Sequence, residues 1–147
     1  MHDREGVARD SAMAAAGRAL AQRDRSRAEL TARLTSTAPA EIVAEVVGDL
    51  ERMGYVDDER LAGSLAARRL EAGWGSRRLA ADLERLGIEG AGTIAGAELA
   101  ERHAASDLLR SRHARGRTLA QRFGLLARRG FLPETIEDVL ESDAEIV

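Results

Sequence analysis

The 147-residue chain predicts an all-α fold of three tandem three-helix repeats, on three observations. Ala, Leu, Arg and Glu dominate, against four aromatic residues (Trp74, Tyr55, Phe123 and Phe131) and two prolines, which is helix-former rather than strand-former usage. Apolar residues recur at three- and four-residue spacing, the period of one helical face, and strand-like alternation is nowhere sustained. The same pattern returns twice more when the chain is laid on itself.

The first repeat, 12–53, opens on the stripe Met13, Ala16, Leu20. Ser26-Arg27-Ala28-Glu29 follows as a capping box. Its Ser hydroxyl accepts from an amide of the helix start and its Glu carboxylate accepts from the Ser amide, so a helix with Leu30 and Leu34 begins there. Pro39 suits the first turn of the next helix, where its missing N–H costs nothing. That helix carries the plainest stripe of all: Ile42, Val43, Val46, Val47, Leu50 and Met53, opposite Glu41, Glu45, Asp49 and Arg52. Gly54 ends it.

In the second repeat, 58–99, Asp57, Asp58 and Glu59 place negative charge at the positive end of the helix of Leu61 and Leu65. These acids are assigned to helix opening rather than to a metal. Leu79, Leu83 and Leu86 form the next stripe, closed by Gly87. The sixth helix has only Ile94 and Ala97, diluted by Gly90, Gly92 and Gly96, each costing a helix up to about 1 kcal/mol. The third repeat, 101–142, holds Ala104, Ala105, Leu108 and Leu109, then Leu119, Phe123 and Leu126 before Gly130, then Ile136, Val139 and Leu140 behind Pro133. Residues 1–11 are expected to lack order, and 143–147 to form a solvated acidic tail.

The repeat is explicit in register. Gly75-Ser76 with Leu79 and Leu83 falls on Ser26, Leu30 and Leu34 at a shift of 49, residues 83–88 meet 126–131 at a shift of 43, and Pro133 with Ile136 meets Pro39 with Ile42 at 94. Nine helices follow, three per unit. One unit cannot bury its apolar face alone, so the units are expected to stack into an elongated, curved body.

Composition excludes much chemistry. Without cysteine there is no disulfide, thiolate zinc site, iron–sulfur cluster or cysteine nucleophile. Without lysine there is no phosphate-binding P-loop, and neither a nucleophile elbow nor a dinucleotide fingerprint is present. His103 and His113 lie ten residues apart, and His2 sits at the start, so none has metal-ligand spacing. No catalytic residue, cofactor or metal is expected. The longest uncharged run, 90–97, is far short of the roughly 20 residues that cross a bilayer. A cytoplasmic monomer without a membrane partner is expected.

The net charge is −3, but its distribution is segregated. Eight arginines stand against Asp107 alone over 102–129, whereas 41–59 and 133–147 are acidic. All 22 basic residues are arginine. Asn is absent as well and Ala abundant, so this is taken as compositional bias, and arginine positions rather than identity are informative.

Four segments together carry a family likeness: Arg23-Asp24-Arg25-Ser26 with Glu29-Leu30; Gly54-Tyr55-Val56-Asp57-Asp58-Glu59-Arg60-Leu61-Ala62; Arg69 with Gly73-Trp74-Gly75-Ser76-Arg77-Arg78-Leu79; and Arg129-Gly130-Phe131 with Pro133 and Ile136. In this order and spacing the chain resembles the RecX family, regulators of the bacterial recombinase RecA, from about Ala14 to Leu140. Leu61 departs from the family's Phe, and Leu132 from a Ser that would cap the last helix, which is therefore expected to be less well capped. The resemblance implies a cytoplasmic protein that lies in the groove of the RecA–DNA filament and restrains it by blocking growth or promoting disassembly, with no reaction catalysed.

Arg25, Arg27, Arg68, Arg69, Arg77, Arg78, Arg112, Arg115 and Arg117 occupy the first or second helix of each repeat. Stacking is expected to align them in one stripe that contacts single-stranded or filament-bound DNA, or acidic RecA surface. The alternative is that they solvate helix faces and pair with acids at i+4. Trp74 is assigned to packing at a repeat junction rather than to stacking on a base, Phe123 and Phe131 to the core, and Tyr55 to closing the first repeat onto the second. Two rivals remain, a freestanding helical DNA-binding protein and a helical peptide-binding scaffold.

Overall fold

A computed structural model describes residues 2–146. Every regular element among them is a helix: α1 (His2–Gln22), α2 (Arg27–Leu34), α3 (Ala40–Arg52), α4 (Asp58–Glu71), α5 (Ser76–Leu86), α6 (Ala91–Arg110), α7 (Leu119–Arg128) and α8 (Pro133–Ile146). The all-α class is as the sequence predicts, with eight helices in place of nine among the described residues. The expected sixth and seventh run together as α6, because good helix formers continue from Ala97 to Leu109 with neither proline nor a left-handed glycine to stop them.

The chain divides into two compact units, Met1–Leu61 with Arg85–Ile88, and Ala62–Glu84 with Glu89–Val147. In the first, α1 contributes Ala12, Ala16 and Ala19, α2 contributes Leu30 and Leu34, and α3 contributes Val43, Val46, Val47 and Leu50, with Val56 closing the cluster. Burying each larger aliphatic side chain contributes about 1.5–3 kcal/mol. The capping box forms as predicted: the Ser26 hydroxyl accepts from Glu29 N–H (3.1 Å) and the Glu29 carboxylate from Ser26 N–H (3.0 Å).

Two expectations for this unit are corrected. Residues 2–11 are helical, since Arg9 reaches from α1 to Glu45 (3.1 Å) and Asp49 on α3 and ties the start of the helix down. These contacts, with Arg52, hold the Asp49 carboxyl below the usual carboxylate range, the hydrogen bond from Arg9 first. Tyr55 is 62% exposed rather than packed, because the left-handed turn at Gly54 (φ +83°) sends it outward and Val56 inward. Asp57 caps α4 through Arg60 N–H (3.0 Å), and Asp58 and Glu59 stand in its first turn, as expected; Asp58 also accepts from Arg27 N–H of α2 (2.9 Å).

In the second unit the core comprises Ala104, Ala105, Leu108 and Leu109 of α6, Ala114 of the turn that follows it, Leu125 and Leu126 of α7, and Phe131, Ile136 and Val139 around α8. Phe131 is buried as predicted, whereas Phe123 is 46% exposed. Helix α7 buries its second half, Leu125 and Leu126, and its first half leaves Leu119 and Phe123 on the surface. The acidic end is helical as far as Ile146, and Arg122 of α7 binds Asp143 at 2.5 Å. Val147 lies outside the described residues.

Candidate nucleic-acid interface

The nine arginines of the expected stripe separate by what they bind. In the first unit Arg25 donates to the Ala19 carbonyl (3.3 Å) and to the Gln22 side chain (2.9 Å), fastening the α1–α2 turn. Desolvation, and then the charges of Arg23 and Arg33, lower its pKa. Arg27 is ion-paired with Glu51 of α3. Neighbouring Arg23 binds Glu29 (2.6 Å), and this hydrogen bond is the main cause that holds the Glu29 carboxyl below its usual range.

In the second unit Arg69 of α4 and Arg78 of α5 converge on Asp82, at 2.7 and 3.4 Å. Asp82 is buried, and a buried carboxylate left without its cations is strongly destabilising. Arg78 also lies over the Trp74 ring, 4.6 Å from its centre, and Arg129 lies over it at 4.5 Å. Cation–π attraction thus ties Trp74 to its own unit.

The residues around Trp74 form a joint between helix ends. Gly75 N–H donates to Arg129 O (2.8 Å) and Arg77 N–H to Gly130 O (2.9 Å), so the first amides of α5 end on the last carbonyls beyond α7. A Cβ on Gly75 would stand 2.4 Å from Gly130 O, and one on Gly130 (φ +81°) 2.7 Å from Arg78 N. Only glycine fits this approach. The first unit holds a counterpart. There the Ser26 hydroxyl donates to Leu86 O (2.5 Å), and the Gly87 backbone comes so close to Ala28 that an added Cβ would lie 2.6 Å from the Ala28 Cβ. Ser26 and Gly75 are related by the sequence shift of 49, and Leu86 and Arg129 by that of 43.

Glu101 supports the joint and escapes the sequence reading. Its buried carboxylate accepts from Ser76 N–H at the start of α5 (2.7 Å), and from Leu132 N–H (3.0 Å) and the Thr135 hydroxyl (2.7 Å) at the start of α8. Glu101 of α6 thus holds the amide just ahead of α8 and a hydroxyl of its first turn, beside the position where Leu132 offers no capping side chain. One signal was available: Glu101 falls within the buried stripe Ala97, Ala104, Leu108 at helical spacing, where a charge is out of place without donors to bind.

The arginines left over belong to the second unit. Among the described residues Arg68 reaches only a carbonyl of its own helix, Ser64 O at 3.4 Å. Arg77, Arg112, Arg115 and Arg117 are exposed and form no ion pair among the described residues. Three of these stand on one turn, 111–118. Ala114 is fully buried and anchors it. The Ser111 hydroxyl donates to Leu108 O (2.6 Å) and accepts from His113 N–H (3.2 Å), Arg117 N–H donates to Ala114 O (3.2 Å), and a second capping box, Thr118 with Gln121, starts α7. The turn is thus held by its own backbone and presents three guanidiniums to solvent, a geometry suited to bidentate contact with phosphate oxygens.

Among the described residues no group of three His, Asp or Glu is placed to hold a metal ion, and no helix is long and apolar enough to cross a membrane.

No family model matches the chain. It is 36% identical over 144 residues to the Regulatory protein RecX of Mycolicibacterium vanbaalenii, which covers 86% of this chain and 78% of that protein. To the Regulatory protein RecX of Acidithiobacillus ferrooxidans it is 36% identical over 143 residues, 93% of each chain. The crystal structure of RecX from Lactobacillus salivarius has the same fold, with a TM-score of 0.78 over 95% of this chain and 98% of that one, at 17% sequence identity.

Proposed function

Because the chain belongs to the RecX family of regulatory proteins, we propose that it regulates the recombinase RecA by binding the RecA–DNA filament. It restrains recombinase and ATPase activity by limiting filament growth or promoting disassembly. It acts by binding, as a cytoplasmic monomer, without a cofactor.

The observation that carries the contact with DNA is the turn 111–118, whose three exposed arginines have no carboxylate partner among the described residues. Arg68 and Arg77 extend the same role. Arg25, Arg27, Arg69 and Arg78 already have partners inside the protein, and on this reading they hold the scaffold that carries the turn. Acidic segments elsewhere in the chain suit contact with protein rather than phosphate.

Hydrolysis of ATP by RecA on single-stranded DNA, with the chain added at increasing substoichiometric amounts, tests the proposal. Hydrolysis falls well below one copy per RecA, and the triple change Arg112→Glu, Arg115→Glu, Arg117→Glu raises the amount needed by about tenfold or more. Unchanged hydrolysis at excess, with no binding to RecA, overturns it. Tight binding to one duplex sequence without RecA would move the assignment to a freestanding DNA-binding protein.

A further inference from the structure

The exposed half of α7 is one wall of a groove that the contact with DNA does not use. Leu119 and Phe123, 67% and 46% exposed, line it from α7, and Leu140 and Ala144 line it from α8. Each wall is an i, i+4 pair, so the groove runs along the two helices for about one turn of each. Glu137 and Glu141, again at i, i+4, border it on α8.

The α8 wall of this groove is acidic. Helix α8 holds no basic residue. The nearby cation of α7, Arg122, is taken by Asp143 at 2.5 Å. Glu137 and Glu141 form no ion pair among the described residues and stand exposed. A contiguous apolar surface beside carboxylates that lack counter-charges marks an interaction site. Phosphate is repelled from it, and apolar side chains flanked by cations are attracted.

We propose that this groove docks a basic amphipathic helix of a partner protein, its apolar residues at i and i+4 seated between Phe123 and Leu140, and its Arg or Lys residues on Glu137 and Glu141. The site is separate in chemistry from the arginine turn and does not depend on the recombinase reading. Phe123 is the anchor, since a large ring contributes most where it becomes fully desolvated.

The test is fluorescence anisotropy of the full chain with a labelled helical peptide bearing Leu at i, i+4 and i+7 and Arg on both flanks, against the same peptide with Glu for Arg. The Arg peptide binds and the Glu peptide does not. Affinity for the Arg peptide falls about tenfold or more in Phe123→Ser, and also in the double change Glu137→Gln, Glu141→Gln, which leaves the apolar walls intact. Thermal melting verifies that both variants are folded. Absence of binding by the Arg peptide, equal binding of both peptides, or indifference to the substitutions overturns the proposal. So does sedimentation equilibrium that shows a dimer of the parent chain dissolved by Phe123→Ser, an outcome that assigns the face to a second copy.

Discussion

Glu101 shows how one residue joins three helices. Its carboxylate, contributed by α6, accepts from the first amide of α5, from Leu132 N–H just ahead of α8 and from the Thr135 hydroxyl, and a buried donor deprived of its acceptor costs about 1–3 kcal/mol. Glu101→Gln keeps the shape but replaces one accepting oxygen by a donor that faces another donor. We expect it to lose about 2–3 kcal/mol, read as a lower urea midpoint with an unchanged denaturant slope. An unshifted midpoint would show that the two helix ends find other acceptors.

At the level of the element, glycine has opposite meanings in α6 and at the joint. Gly92 and Gly96 lie within α6, and a Cβ added to either meets nothing within 4 Å. Gly92→Ala and Gly96→Ala are expected to stabilise the protein by about 0.5–1 kcal/mol each, through helix propensity and a less flexible unfolded chain. Gly75→Ala, by contrast, drives a methyl group into Gly130 O and is expected to cost about 1–3 kcal/mol. Differential melting of the three variants checks the contrast, and a fall in melting temperature for Gly92→Ala would contradict a continuous α6. Sequence reading took Gly92 and Gly96 as diluents, Gly130 as a stop and Gly75 only as part of a repeated motif. Whether a glycine is needed depends on what approaches it, and in these cases that neighbour is remote in sequence or absent.

For the whole molecule the sum of charge says little and its segregation says more. A net charge of −3 does not drive the chain onto DNA, so any contact with a single strand must come from a local group such as the arginine turn. Replacing Arg112, Arg115 and Arg117 by Gln is expected to flatten the dependence of log K on log salt, for a single-stranded oligonucleotide, by roughly 2. An unchanged slope measured by titration at several salt concentrations would place the phosphate contacts elsewhere. The acidic groove of α7 and α8 contributes nothing to that slope, which keeps the two surfaces separable by experiment.

The sequence by itself determined the all-α class, the stripe of α3 and the capping box at Ser26, because these rest on periodicity and short-range hydrogen bonds within a few residues, and its four motifs carried the family likeness. It also exposed the joints as repeated motifs, though not what they join. Only the tertiary structure decided which arginines are spent inside the protein, where Phe123 and Tyr55 point, and that Glu101 binds at the starts of two helices at once. Asp82 lies 13 residues from Arg69, and Glu101 lies 31 from Leu132. Hydrogen-bond partners that far apart are chosen by packing, and no local pattern encodes the choice.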